Sequence, residues 1–345
     1  MFFRPLRLFG VCLPKLIFAL AFVALWIAQP ARSQNVFHFG NHIPSFHGGY
    51  YINGIPSSAF IDTGENRFQK AGRTFGQSIG GVEGVANDLA DIGLFPFREP
   101  LLFGAAALGV GVLAANDYAI TSYYKDNVEP LFAGFNLPPI VPRTRTSPLR
   151  FLSVEDQYLV AGIGATYAYG IAFNDERAQV AALLSTKAVA YSYLVSQVLL
   201  KPVFGRVRPS RDLSSYGGPV DVIDRSGRSP NPYNWGNAVP VSLTPSNFGT
   251  SFPSFHYTAY FSVARVYSGV YDNSWVPYVV AGALLASNIR SHNHWVSDMA
   301  AGALIGTVIG QSILNNYAER RGGLNTTFTP IVSSSGIGAQ FSMTF

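Results

Sequence analysis

The sequence predicts an all-α fold, a multi-helix bundle closed by a short C-terminal β-hairpin. Three observations carry this reading. Apolar segments of helical character recur along the chain, stretches dense in Gly, Pro, Ser and Asn separate them, and a strand-like alternation appears only beyond Thr326. Hydrophobic residues make up 48% of the 345, enough for a sizeable core, which excludes disorder over most of the length. Charged residues are only 12% and aromatics 14%, the balance of tightly packed helices or of membrane contact.

Taken in order, residues 1–33 read as a secretory signal peptide. Arg4, Arg7 and Lys15 precede an apolar run from Leu16 to Ala28, followed by Pro30 and the small-residue site Ala31-Arg32-Ser33, with cleavage expected before Gln34. The run is short against the ~20 residues a spanning helix needs. Its removal leaves 20 basic against 19 acidic residues, a net +1, so no nucleic-acid partner is implied. The sole cysteine, Cys12, lies in the signal, so the mature chain is expected to lack disulfides, thiolate metal sites and a cysteine nucleophile.

Residues 34–100 read as an irregular and helical extension, mostly loops with a short helix near Val82 to Ile92. Residues 101–320 form the helical domain, with helices expected at Leu101–Asn116, Gln157–Asn174, Thr186–Lys201, Tyr257–Tyr271, Trp275–Ile289 and Asp298–Asn315. Gly302, Gly306 and Gly310 recur every fourth residue and allow another helix to approach closely. The connection from Pro209 to Thr250 is too long for a mere link and is expected to shape a site entrance. Residues 321–345 form the hairpin, strands Thr326–Val332 and Ile337–Phe345 around a turn at Ser333 to Gly336. Among the uncharged stretches only Met299 to Ala318 reaches spanning length, and it contains Gln311, Ser312, Asn315 and Asn316. The expectation is therefore an exported periplasmic bundle, with membrane association left open.

Three clusters pair ionisable residues with Pro, Gly or Ser at expected helix ends: Lys201 to Pro209, Ser251 to His256, and Arg290 to Asp298. Cations gathered among hydroxyls and free backbone N–H groups at helix ends make an anion site, because the helix dipole favours negative charge there. Phosphate fits, since guanidinium forks match its oxygens. His294 and Asp298 are four residues apart and can share a helix face, which would let the carboxylate hold one ring nitrogen and free the other. His256 supplies a second imidazole, so nucleophile and general acid can be divided between two histidines.

These clusters resemble the type 2 phosphatidic acid phosphatase superfamily, which includes class A acid phosphatases and vanadium haloperoxidases. Lys201-x6-Arg208-Pro209 fits the first motif, Pro253-Ser254-Phe255-His256 the second except at one position, and His294-Trp-Val-Ser-Asp298 the tail of the third. The resemblance covers roughly residues 101–316 and implies the helical fold of that superfamily. It implies that Lys201, Arg208 and Ser254 bind phosphate oxygens, with the Phe255 amide beside them. His256 would protonate the leaving group, His294 would attack phosphorus, and Asp298 would orient His294. The expected activity is metal-independent hydrolysis of phosphate monoesters, from phosphorylated small molecules or lipid phosphates, through a phosphohistidine. No cofactor is implied. The alternatives are a haloperoxidase holding vanadate in the same cradle, and a degenerate phosphate-binding protein associated with a membrane.

Two departures bear on activity. Phe255 stands where the motif has glycine, and its ring needs room. Aligned on His294, the motif arginine falls at Asn288 and the serine at Ser287; Arg290 lies two residues later, so either it makes that phosphate contact from a shorter loop or the contact is lost. Pro44-Ser45-Phe46-His47 repeats the second motif without its context, so His38, His42 and His47 read as surface residues and not metal ligands. His292 reads as a structural neighbour of the nucleophile.

Overall fold

The computed structural model describes residues 54–55, 60, 64–142, 152–214, 223, 227–239, 241, 250–289 and 293–321 in full. It adds the backbones of β1 (Arg7–Leu8) paired with β2 (Val11–Cys12), and of β5 (Asn325–Ser333) paired antiparallel with β6 (Gly336–Thr344). The apolar run of the signal, His38, His42, His47, Arg290 and His292 lie outside the described residues. The terminal hairpin falls where the alternation placed it.

Among the described residues nine helices form the bundle, which is the expected all-α class. They are α1 (Arg67–Ile79), α2 (Gly81–Arg98), α3 (Pro100–Ala115), α4 (Asp117–Asn127), α5 (Val154–Ala172), α6 (Glu176–Ser192), α7 (Phe255–Tyr271), α8 (Val276–Ala286) and α9 (Val296–Arg321). Helix α6 runs on through a π-helical stretch, Tyr193–Leu200, and a last turn, Lys201–Phe204. The stretch expected to hold one short helix near Val82 to Ile92 holds two, and α4 was not expected.

Helix α1 escaped because its inward face is polar. Lys70, Thr74 and Ser78 are its buried residues, and the first two bond outward to the bundle: Lys70 Nζ to the Asn174 carbonyl at 3.1 Å and Thr74 Oγ1 to Gln179 Oε1 at 2.8 Å. A pattern search for apolar residues cannot see such a face. Its start was nonetheless written in the sequence as a capping box, with Asn66 Oδ1 accepting from the Gln69 amide at 3.0 Å and Gln69 Oε1 from the Asn66 amide at 3.3 Å. Helix α6 begins ten residues earlier than expected, at the Asp175 cap, because Glu176, Gln179 and Lys187 are buried in ion pairs and hydrogen bonds.

Helices α7 and α9 make the central pair. A Cβ on Gly302, Gly306 or Gly310 would lie 2.5, 2.2 and 2.6 Å from the carbonyl oxygens of Ser254, Thr258 and Ser262. Only a glycine stripe permits that approach, and the close contact fixes the N-terminal ends of both helices side by side. Ile309, Ile313, Leu314 and Tyr317 of α9 then pack with Val180, Leu184, Val266 and Val270 into the main core.

Two helical stretches, Glu176–Phe204 and Val296–Arg321, are long and apolar enough to cross a membrane, and α2 with α3, bent by 83°, would make a third, broken span. Hydropathy alone found only the second, because the charged start of α6 hid the first. Most of α9 is buried inside the bundle. Uncovered apolar side chains lie on several other helices, among them Val82 and Phe97 of α2, Leu101 and Leu108 of α3 and Val279 of α8. Large uncovered apolar faces of this kind indicate membrane association.

Candidate active site

The three clusters meet at one end of the α7–α9 pair. Lys201 ends the long helix, and Gly205, at φ +50°, turns the chain sharply out of it. A Cβ there would sit 2.2 Å from the Asn237 carbonyl oxygen, so the motif glycine serves both the left-handed turn and the close approach. Residues 206–208 then run along the start of the second cluster. The Ser251 amide donates to the Arg206 carbonyl at 2.8 Å, Val207 bridges Thr250, and Trp295 Nε1 donates to the Val207 carbonyl at 3.0 Å. The Ser254 amide closes the ring by donating to the Asp298 carbonyl at 3.1 Å. Main-chain bonds thus tie all three clusters together before any side chain is considered.

Beneath them lies a buried ion network. Arg206, fully buried, donates to Asp298 Oδ1 at 2.6 Å, to Ser297 Oγ at 2.7 Å and to Asp117 Oδ2 at 2.6 Å, and its guanidinium lies 4.2 Å from the centre of the Trp235 ring. Asp117 Oδ1 accepts from the Ser297 amide at 3.0 Å, pinning the first turn of α9. One guanidinium serves two carboxylates, and burial pushes the Asp117 carboxyl up to about 6 against the pull of Arg206. Arg206 lay in the sequence as the frequent Gly-Arg-x-Arg-Pro ending. Asp117 carried no signal, since its partner is 89 residues away.

His294 Nδ1 donates to the Ser251 carbonyl at 2.9 Å. The nearest Asp298 oxygen, Oδ2, lies 3.8 Å away, beyond a hydrogen bond. At that distance Asp298 acts on the imidazole chiefly through its charge. Its Oδ2 accepts instead from the Trp295 amide at 2.8 Å, so it braces the turn that carries His294. The tautomer is the same in either case: Nδ1 bears the proton and Nε2 is left with a lone pair. Burial, working against Asp298 and helped by the charges of Arg208 and Lys201, holds the His294 imidazole down to about 3.

Lys201 and Ser254 are buried, 1% and 0% exposed, and Arg208 is partly so. Among the described residues the Ser254 hydroxyl does not cap α7 and has no partner, and Arg208 Nε is buried without one. Burial first, then the charge of Arg228, lowers the Arg208 guanidinium to about 10, with Asp298 opposing. Arg228 comes from the long connection: β4 (Arg228–Ser229) pairs in parallel with β3 (Arg208–Pro209), residue 228 opposite 208. Its Nη2 donates to Asn293 Oδ1 at 2.6 Å, next to His294. Part of that connection is packed, with Ser229, Asn231 and Asn234 all buried.

Phe255 opens α7 directly after Ser254, and its ring meets Tyr193 edge-on at 5.7 Å. It therefore has its room away from the pocket. Asn288, at the position of the missing arginine, donates to Glu155 Oε1 and not toward the cluster. Ser287 Oγ donates to the Leu284 carbonyl at 2.7 Å. An open pocket is lined by Ser254, His256 and His294 together with Tyr124, Tyr257 and Leu285. Among the described residues no group of His, Cys, Asp or Glu is arranged to hold a metal ion.

Paired helix ends that gather cations, a buried hydroxyl and a neutral imidazole have the chemistry an oxyanion site needs. Residues 180–321 match the PAP2 superfamily, the type 2 phosphatidic acid phosphatase superfamily that the three clusters resemble. That match supports phosphatase-type activity on phosphate esters. No curated protein and no solved structure matches the chain.

Proposed function

We propose that the protein is an exported phosphatase that hydrolyses phosphate monoesters through a phosphohistidine on His294. The observation that carries this is the set of donors without partners, Ser254 Oγ and Arg208 Nε, buried beside a neutral imidazole. Buried polar groups are costly unless bonded, so their pairing is completed by a ligand with oxygen acceptors. Like charges at Lys201, Arg208 and Arg228 set that ligand's sign: a dianion relieves their repulsion.

In the first step His294 Nε2 attacks phosphorus, the P–N bond forms and the ester P–O bond breaks. The departing oxygen takes a proton from the His256 imidazolium. In the second step water attacks the phosphohistidine and gives its proton to neutral His256, and the P–N bond breaks to release phosphate. Lys201, Arg208, Ser254 and the N-terminal amides of α7, Phe255 among them, hold the phosphoryl oxygens as charge builds. Arg228 supplies the cation that the third motif lacks at Asn288, a role the sequence had left open to Arg290. Lipid phosphates are the substrate class best supported, since Leu285, Ile289 and Met299 line the pocket and uncovered apolar helices surround the bundle.

Phosphate release from alkyl and lipid phosphates by the wild type, and its loss in His294→Ala, tests the reading. An acid-labile phosphoenzyme in the wild type would support it. Halide oxidation on adding vanadate, with no phosphate release, would overturn it.

A further inference from the structure

The general acid of the proposed reaction has a partner that none of the motifs contains. His256 stands in the first turn of α7, and its Nε2 lies 3.3 Å from Asp156 Oδ2 in the first turn of α5. The Tyr260 hydroxyl donates to the other oxygen, Oδ1, at 3.1 Å. The Ser153 hydroxyl accepts from the Asp156 amide at 3.2 Å and fixes that turn. Asp156 therefore has both oxygens engaged and little freedom to leave. Burial pushes its carboxyl up, but the bonds from His256, Ser153 and Tyr260 outweigh it and hold the group below the ordinary value, as an acceptor. The superfamily match begins at residue 180, so this carboxylate lies outside it.

We propose that Asp156 is a positioning residue for His256. By accepting from Nε2–H it sets the imidazole so that Nδ1 carries the proton given to the departing oxygen, and it stabilises the imidazolium that must be present beforehand. Tyr260 holds Asp156 in turn. Glu155 Oε1, 4.0 Å from the same nitrogen, adds negative charge but is tied to Asn288. The arrangement mirrors the one at His294, where the Ser251 carbonyl holds Nδ1 and leaves Nε2: two histidines in one pocket present opposite nitrogens to the substrate.

This inference rests on the phosphatase reading, and the test separates the two. An alkyl phosphate such as glycerol phosphate needs its leaving oxygen protonated; p-nitrophenyl phosphate does not. In single-turnover phosphorylation of the enzyme, the step in which only the alkyl oxygen needs that proton, Asp156→Asn is expected to slow the alkyl ester by about tenfold or more while leaving the nitrophenyl ester within about twofold. In a His256→Ala background Asp156→Asn should add nothing. Equal losses on both esters, or a further loss without His256, would overturn the proposal. Imidazole 15N resonances give a readout that needs no turnover. The wild type should show His256 protonated at Nε2 when neutral, and Asp156→Ala should mix the two tautomers; an unchanged tautomer also overturns the assignment. A wild type inactive on both esters removes the phosphatase reading and leaves the tautomer measurement to decide this one.

Discussion

His294 Nδ1 is held by the main-chain carbonyl of Ser251 at 2.9 Å, while the carboxylate of Asp298 stops 3.8 Å short of it. A backbone acceptor cannot be removed by substitution, so the tautomer of His294 is built into the contact between the second and third clusters. Asp298 serves it indirectly, through the Trp295 amide and Arg206.

Asp298→Asn should therefore be first a stability variant. Removing one partner of a buried ion pair leaves charge uncompensated, at a cost of about 3 kcal/mol. Chemical denaturation of the variant should show a loss of that order together with reduced kcat. Reduced kcat with unchanged stability would instead mean that Asp298 contacts His294 during turnover.

Orthophosphate should raise the melting temperature of the wild type, because it binds the folded state alone. In Arg208→Leu the shift should vanish, and the variant without phosphate should be no less stable than the wild type, since a buried cation among like charges has been removed. Thermal melts with and without phosphate read both effects. A full phosphate shift in Arg208→Leu would place the anion elsewhere.

The imidazole of His294 is held down to about 3 from an ordinary 6.5. Between those values the unfolded chain carries a proton there that the folded protein does not. The stability this group contributes is fully present above about 6.5 and is lost as pH falls toward about 3, at a slope of at most ~1.4 kcal/mol per unit. Asp117, raised to about 6 from 3.8, acts in the opposite sense as pH rises through that window. The measurement is thus the difference between wild type and His294→Gln in phosphate-free buffer, and the wild type should lose more stability on acidification. Parallel curves would show that His294 titrates normally.

Gly306→Ala places a methyl group 2.2 Å from the Thr258 carbonyl oxygen, backbone against backbone, with no flexible side chain to give way. Helices α7 and α9 must part, at a cost of about 1–3 kcal/mol. Since the Ser254 amide bonds the Asp298 carbonyl across that seam, kcat should fall with stability. Gly282→Ala on α8, where a Cβ meets nothing within 4 Å, is the control and should be neutral.

Much of the site was legible because its residues are local in sequence: Lys201 with Arg208, Ser254 with His256, and His294 with Asp298 each lie within one helix end. The α7–α9 seam was legible too, since Gly302, Gly306 and Gly310 keep a helical spacing that has no other use. What was not legible has a common cause. Asp117, Asp156 and Arg228 each act on a residue 65 or more positions away, and each sits in a stretch that looks like an ordinary polar surface. Helix α1 was missed for the same reason, its buried face being Lys70, Thr74 and Ser78 and not an apolar stripe.

The sequence by itself determined the class of fold and singled out the three clusters proposed as an anion cradle, because helical period and motif spacing are properties of neighbouring residues. Only the tertiary structure decided what holds the two imidazoles, which cation supplements Lys201 and Arg208, and how the uncovered apolar faces are distributed. Those depend on hydrogen bonds and burial between elements distant in the chain, and a carboxylate such as Asp156 acquires its role only when folding sets it 3.3 Å from His256.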